Sequence, residues 1–189
     1  MSLQKQVKVG NITNLSEARY CAGMGVDYLS FPTSGIDPKT FKEITGWVSG
    51  PKFGIEIDGS DAAPIELYAP DFVVVSIHDL KTATNNKVVV KVNAKDVPQQ
   101  REKLVLYKNQ ILFVELDFEN HPLTVDRGQS AIDQLKEDFQ IFLKFEGNKM
   151  EEYLNLPIDG ISLEGNAEER PGLKEYPLAD ILEKMEVAD

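Results

Sequence analysis

Cysteine, histidine and long apolar runs are all scarce in this sequence. Cys21 is the only cysteine. No intramolecular disulfide can therefore form, and the paired thiolates of a structural zinc site are missing. No stretch approaches the roughly 18 consecutive apolar residues of a membrane-spanning helix. The segment from Met1 to Lys8 also lacks the apolar stretch of a secretory signal. These absences predict a soluble, cytoplasmic protein. Bases are outnumbered as well: 20 Lys and Arg stand against 31 Asp and Glu, a net charge of -11. Such a diffuse negative field argues against nucleic acid and anionic membranes as partners. It leaves room for a small anionic ligand, because local donors outweigh a distant field.

Nothing divides the chain either. There is no low-complexity segment, linker or charge block, so residues 1–189 read as one domain. The hydrophobic fraction of 42% is enough for a real core. What repeats is an alternation of element types. Short β-rich apolar runs fall at residues 7–9, 28–31, 53–57, 72–77, 88–92, 111–118, 141–145 and 160–163. Continuous apolar runs without strict alternation suit parallel strands covered by helices.

Helices are predicted between the strands. Asn14 and Glu17 form a capping-box-like start, and Gly25 is placed to end that helix. Pro38 opens another over 38–47. Further helices are expected at 96–108, 130–138, 149–154 and 178–185. Two connections, 60–70 and 80–87, look helix-poor, with Pro64 and Pro70 in the first and Thr and Asn residues in the second. Eight strands joined through helices imply right-handed βαβ units and a small single-domain (β/α)8 barrel, some helices shortened or missing. An open doubly wound sheet is the structural alternative. A barrel of 189 residues is short, since the fold typically takes about 250 and rarely fewer than 200.

Both ends of the chain carry a more specific pattern. Val7-Lys8-Val9-Gly10-Asn11-Ile12-Thr13 is followed by Glu17-Ala18 and by Gly25-Val26-Asp27. Near the other end stand Glu168, Pro171-Gly172, Lys174-Glu175 and Leu178. In this order they resemble the phosphoribosylanthranilate isomerase family, with its Val-Lys-Ile-Cys-Gly-Ile-Thr opening and its Glu-x-x-Pro-Gly-x-Lys-Asp tail. Ile77-His78 and Glu115-Leu116-Asp117 fall where that family has Gln-Leu-His-Gly and Leu-Leu-Asp. The resemblance implies an Amadori rearrangement of an aminoaldose phosphate in tryptophan biosynthesis. A cysteine base after the first strand would abstract a proton, and an aspartic acid after the sixth would protonate the ring oxygen. It implies no cofactor and no metal, and a monomer or homodimer.

The departures bear on that chemistry directly. Asp117 keeps the acid position, but Gly10 occupies the position of the cysteine base and Asn11 that of the following glycine. Cys21, in the first helix, cannot substitute and reads as a small packing residue. The resemblance places substrate contacts at Asn11, His78, Glu146, Gly147, Glu164 and Gly165. Family members hold phosphate there on backbone amides, and Glu146 and Glu164 now put a carboxylate beside each surviving glycine. The family's arginine after the second strand has no counterpart in residues 32–36. His121, beside Pro122, reads as an exposed loop residue, and Asp126 with Arg127 as a surface pair.

Strand alternation gives an independent reading. If Gly10 faces inward, so do Lys8, Glu56, Glu115 and Lys144, with Lys91 as a possible companion. Asp58, Asp117, Glu146 and Glu164 would lie above them. This lower layer is either a self-neutralising ion network or the seat of a desolvated lysine. The upper carboxylates are either solvated or able to hold a hard cation. Three functions follow: a remodelled isomerase, another small-molecule enzyme on the same scaffold, or a non-catalytic binding protein.

Overall fold

Eight parallel strands follow one another around a closed sheet in sequence order, β1 to β8, in the computed structural model. The strands are β1 Gln6–Gly10, β2 Tyr28–Pro32, β3 Lys52–Glu56, β4 Phe72–Ser76, β5 Val88–Asn93, β6 Ile111–Asp117, β7 Ile141–Lys144 and β8 Gly160–Glu164. Each coincides with a predicted run, and the fold is a (β/α)8 barrel. The structure describes residues 2–57, 64–83, 85–118, 125–145, 150–165 and 177–187. Contacts group the chain into two compact units. One is Met1–Asp71 with Leu163–Asp189, and the other is Phe72–Ser162.

In the first unit, α1 (Leu15–Gly23) begins as predicted. The Asn14 side chain accepts the Glu17 N–H at 2.9 Å, satisfying one of the four N–H groups that a helix start leaves open. The helix buries Ala18 and Cys21. In α2 (Pro38–Gly46) the cap is Asp37, whose carboxylate accepts from the N–H groups of Lys39 and Thr40. Phe41 and Ile44 face inward, and Phe41 packs edge-on to Phe31 and Tyr68. The 60–70 connection is not wholly helix-poor: Ile65–Tyr68 forms one short helix, α3, stopped by Ala69 at φ 53°. Pro64 permits it because a proline just before the first turn costs no hydrogen bond.

In the second unit, the connection after β4 also holds helical structure, a 3-10 run over Ile77–Ala83. Then come α4 (Val97–Leu106), α5 (Val125–Leu135) and α6 (Met150–Leu154). Helix α5 begins five residues before the predicted start, because Gly128 and the polar residues around it hide its first turn from a hydrophobic pattern. The last helix, α7 (Pro177–Lys184), lies in the first unit. Among the described residues no helix is long and apolar enough to cross a membrane.

One local device recurs. The aspartate just before β2, β4 or β8 accepts the N–H of a residue at the start of the preceding strand. Asp27 takes that of Val7, Asp71 that of Phe53 and Asp159 that of Ile141, each at 2.8 Å. In return the N–H groups of these aspartates donate to the carbonyls of Val7, Phe53 and Ile141. Charge-assisted bonds of this kind fix register, and in parallel sheets register decides which side chains face inward.

Candidate functional site

Inward-facing side chains of each unit grade from apolar to polar toward the C-terminal strand ends, where active sites of this fold lie. In the second unit the apolar floor is Phe113 on β6 stacked on Phe142 of β7, centroids 3.8 Å apart. Gly160 on β8 makes room for that stack, since a Cβ there would lie 2.5 Å from the Phe142 ring. Two residues further along each strand the same face turns polar. Glu115 is 1% exposed, and Ser162 Oγ donates to its Oε2 at 2.7 Å. Lys91 on β5 is in register with Glu115. Another step outward, Lys144 Nζ donates to Asp117 Oδ2 at 2.9 Å, with both side chains partly exposed. Asn93 on β5 is in register with Asp117.

The first unit has its own polar group, built around Glu56 at the end of β3. Its Oε1 accepts from Ser30 Oγ at 2.6 Å and from the Asn11 N–H at 2.9 Å. Lys8 Nζ stands 4.0 Å away, with no solvent exposure. The predicted inward parity of Lys8, Glu56 and Gly10 is thus met. Fully buried, this pair is weak evidence for stability, because desolvation offsets most of the attraction.

Gly10 lies directly against Glu56. A Cβ at residue 10 would meet Glu56 Oε1 at 2.6 Å, Lys8 Nζ at 3.0 Å and Glu164 Oε2 at 3.4 Å. At the position given to a cysteine base by the family resemblance, a side chain would therefore fit only if the end of Glu56 moved aside. Asn11, in the place of the family's glycine, has φ 54°. That left-handed conformation is one asparagine tolerates better than most residues. Gly165, just after β8, donates its N–H to the Gly10 carbonyl at 2.7 Å. A Cβ on Gly165 would meet Glu17 Oε1 at 2.6 Å, and Glu17 is buried. The backbone amide predicted to contact substrate is thus committed within the protein, with the Glu17 carboxylate close by.

His78 is exposed on the 3-10 run after β4, where its N–H donates to Ser76 Oγ at 3.2 Å. Glu146, Gly147, Asp58 and His121 lie outside the described residues, as do Glu168, Pro171, Gly172, Lys174 and Glu175. Cys21 is buried, and burial with the nearby Glu17 charge pushes its thiol up to about 12. Among the described residues, no group of three or more His, Cys, Asp or Glu side chains gathers as a metal site.

Three site residues escaped the sequence reading: Ser30, Ser162 and Asn93. Serines inside apolar runs look like neutral strand residues, and only the acid each one meets reveals its role. Asn93 was accessible by parity, two residues beyond Lys91 on the same strand.

No protein-family model matches this chain, and no curated protein sequence matches it. Solved structures do. A phosphoribosylanthranilate isomerase from Thermotoga maritima is similar at TM-score 0.64 and 18% identity, covering 95% of this chain and 97% of its own. TrpF from Jonesia denitrificans is similar at TM-score 0.65 and 14% identity, covering 94% and 95%. An HpcH/HpaI aldolase from Desulfitobacterium hafniense reaches TM-score 0.63 at 10% identity, covering 86% of each chain. At such identities the likeness establishes the barrel fold, which isomerases and aldolases share.

Proposed function

We propose that this chain is a phosphoribosylanthranilate isomerase-like barrel that has lost the Amadori rearrangement and keeps a small-molecule site. The lineage rests on the motifs at both ends of the sequence, together with the fold. One observation carries the loss: residue 10 is a glycine with no side chain to act as base, and the Glu56 carboxylate crowds the space beside it. A missing general base typically lowers a rate by about 10²–10⁴-fold. Asp117, the position of the acid, is bonded to Lys144. The binding end of β8 points the same way, since the Gly165 amide is bonded to Gly10 and Glu164 lies near it. A phosphate dianion would meet carboxylates there instead of open donors.

The retained site is supported by the polar layer of each unit, which gathers charged and hydroxyl side chains at the C-terminal strand ends. On this reading the partner is a small molecule, with neither nucleic acid nor a bilayer involved, and the protein acts in the cytoplasm as a monomer or homodimer. The test is an isomerase assay of the purified protein with phosphoribosylanthranilate. Turnover indistinguishable from the uncatalysed reaction is expected. Turnover near an ordinary enzyme rate, on the order of 10 s⁻¹, overturns the proposal.

A further inference from the structure

The amide of Asn93 is fixed in orientation yet incompletely bonded. Its Oδ1 accepts the Lys95 N–H at 3.0 Å and so caps the turn that follows β5. A backbone N–H can be met only by the carbonyl end of the amide, so the assignment of oxygen and nitrogen is forced. The Nδ2 end then points away from that turn. It is buried, and no described residue accepts its hydrogens. Native proteins seldom leave a buried donor in that condition, and each such group calls for an account.

The register of the sheet shows what surrounds it. Asn93 pairs with Asp117 across β5 and β6, and Lys91 pairs with Glu115 one step below. Side chains of register partners on parallel strands share a face. That face is the inward one, because Phe113, Glu115 and Asp117 alternate along β6 and the Phe113 ring stacks on Phe142. Lys144 reaches the same level and holds Asp117 at 2.9 Å. An oriented amide donor on β5 and an ammonium group on β7 thus flank Asp117 of β6 at the C-terminal strand ends, one by register and the other by an ion pair, above a buried carboxylate and an aromatic floor.

We propose that this place binds a small carboxylate, with an oxygen of the ligand accepting from Asn93 Nδ2 and Lys144 supplying the opposite charge. This deepens the proposed function and rests on its claim that a small-molecule site is kept. The donors suit a monoanion. A phosphate dianion needs several converging donors, and here Glu115 and Asp117 face the same space. A neutral carbonyl compound would gain less from Lys144, a single hydrogen bond in place of an ion pair. The carboxylate would meet one hydrogen bond and one cation in a partly dehydrated setting, where both are stronger than in water.

The experiment titrates the full-length protein with pyruvate, its neutral methyl ester and inorganic phosphate, followed by calorimetry and amide chemical shifts. Two variants accompany it. Asn93→Asp keeps an acceptor for the Lys95 N–H but replaces the donor with an acceptor, and Asn93→Ser keeps a shorter cap without the amide. Saturable pyruvate binding is expected in the wild type, with affinity lowered at least about tenfold in both variants. The ester and phosphate should bind more weakly than pyruvate. If Asn93→Asp does not fold, Asn93→Ser decides. Absence of pyruvate binding at millimolar concentration, as expected if Nδ2 only holds a water, overturns the proposal. Equal affinity in wild type and Asn93→Ser does the same. Turnover of phosphoribosylanthranilate would sink the loss of isomerase activity but leave this titration unaffected, so the two failures are separable.

Discussion

The Glu56 carboxylate holds residue 10 to glycine: its Oε1 lies 2.6 Å from where any Cβ on that residue would sit. The oxygen cannot easily withdraw, because Ser30 Oγ and the Asn11 N–H both bind it. Introducing a cysteine through Gly10→Cys should therefore destabilise the protein by about 1–3 kcal/mol, the usual penalty of overpacking. A lower urea midpoint at unchanged m-value would register it. Glu56→Ala alone should also destabilise, by leaving Lys8 without that partner. Gly10→Cys combined with Glu56→Ala should cost less than the sum of the two, by more than about 0.5 kcal/mol. Strict additivity would show that the two positions do not compete for space.

Gly160 and Phe142 form a similar pair at the floor of the second unit. Gly160→Ala puts a methyl 2.5 Å from the aromatic ring and should break the stack on Phe113. A loss of about 1–3 kcal/mol is expected, partly recovered by Phe142→Leu. Near-ultraviolet circular dichroism should report the disturbed aromatic packing before global unfolding does. An unchanged spectrum together with unchanged stability would contradict the close approach.

The Cys21 thiol should be inert in the native protein. Burial, then the Glu17 charge, raises it from 9.0 to about 12, so little thiolate exists near neutral pH. Alkylation by iodoacetamide at pH 8 should be slow without denaturant and fast in its presence. The raised value also sets a sign for stability. Between about 9 and about 12 the folded state keeps a proton that the unfolded state releases. The thiol's contribution is therefore complete below 9 and declines as pH rises through that window. Stability that rose over this range in the wild type relative to Cys21→Ala would contradict the assignment.

The aspartates before β2 and β8 should act as register pins. Asp27→Ala and Asp159→Ala each remove a charge-assisted acceptor from a strand-opening N–H at 2.8 Å. Each should cost about 1–3 kcal/mol. Amide exchange should quicken most at Val7 in the first variant and at Ile141 in the second. If protection at those two amides is retained, the pins are ornamental.

Much of the fold was legible in the sequence. All eight strands could be read because a strand covered on its outer side is written as an uninterrupted apolar run, as in Phe72–Ser76. Helix α1 was legible because its cap is local, from Asn14 to Glu17. The start of α5 was not, since Gly128 weakens the pattern at its opening. Alternation put Lys8 and Glu56 on the inner face. It could not tell that Glu56 reaches across to Ser30 and Asn11, because cross-strand partners follow from register and register is not local. Asn93 was missed for a related reason: an asparagine at a strand end reads as turn chemistry, and half of its amide does serve the turn.

The bond from Gly165 to the Gly10 carbonyl has an evolutionary corollary. A new side chain does not redirect a backbone N–H, and proline would only remove it, so no single substitution at residue 165 would return that amide to the solvent. Freeing it would require the β1 end to move, which the Asn11–Glu56 bond resists, and the charge on Glu17 beside it would still have to be removed. Several coordinated changes separate this sequence from an anion cradle at the end of β8. Binding of a phosphorylated ligand through that amide is therefore a barred route.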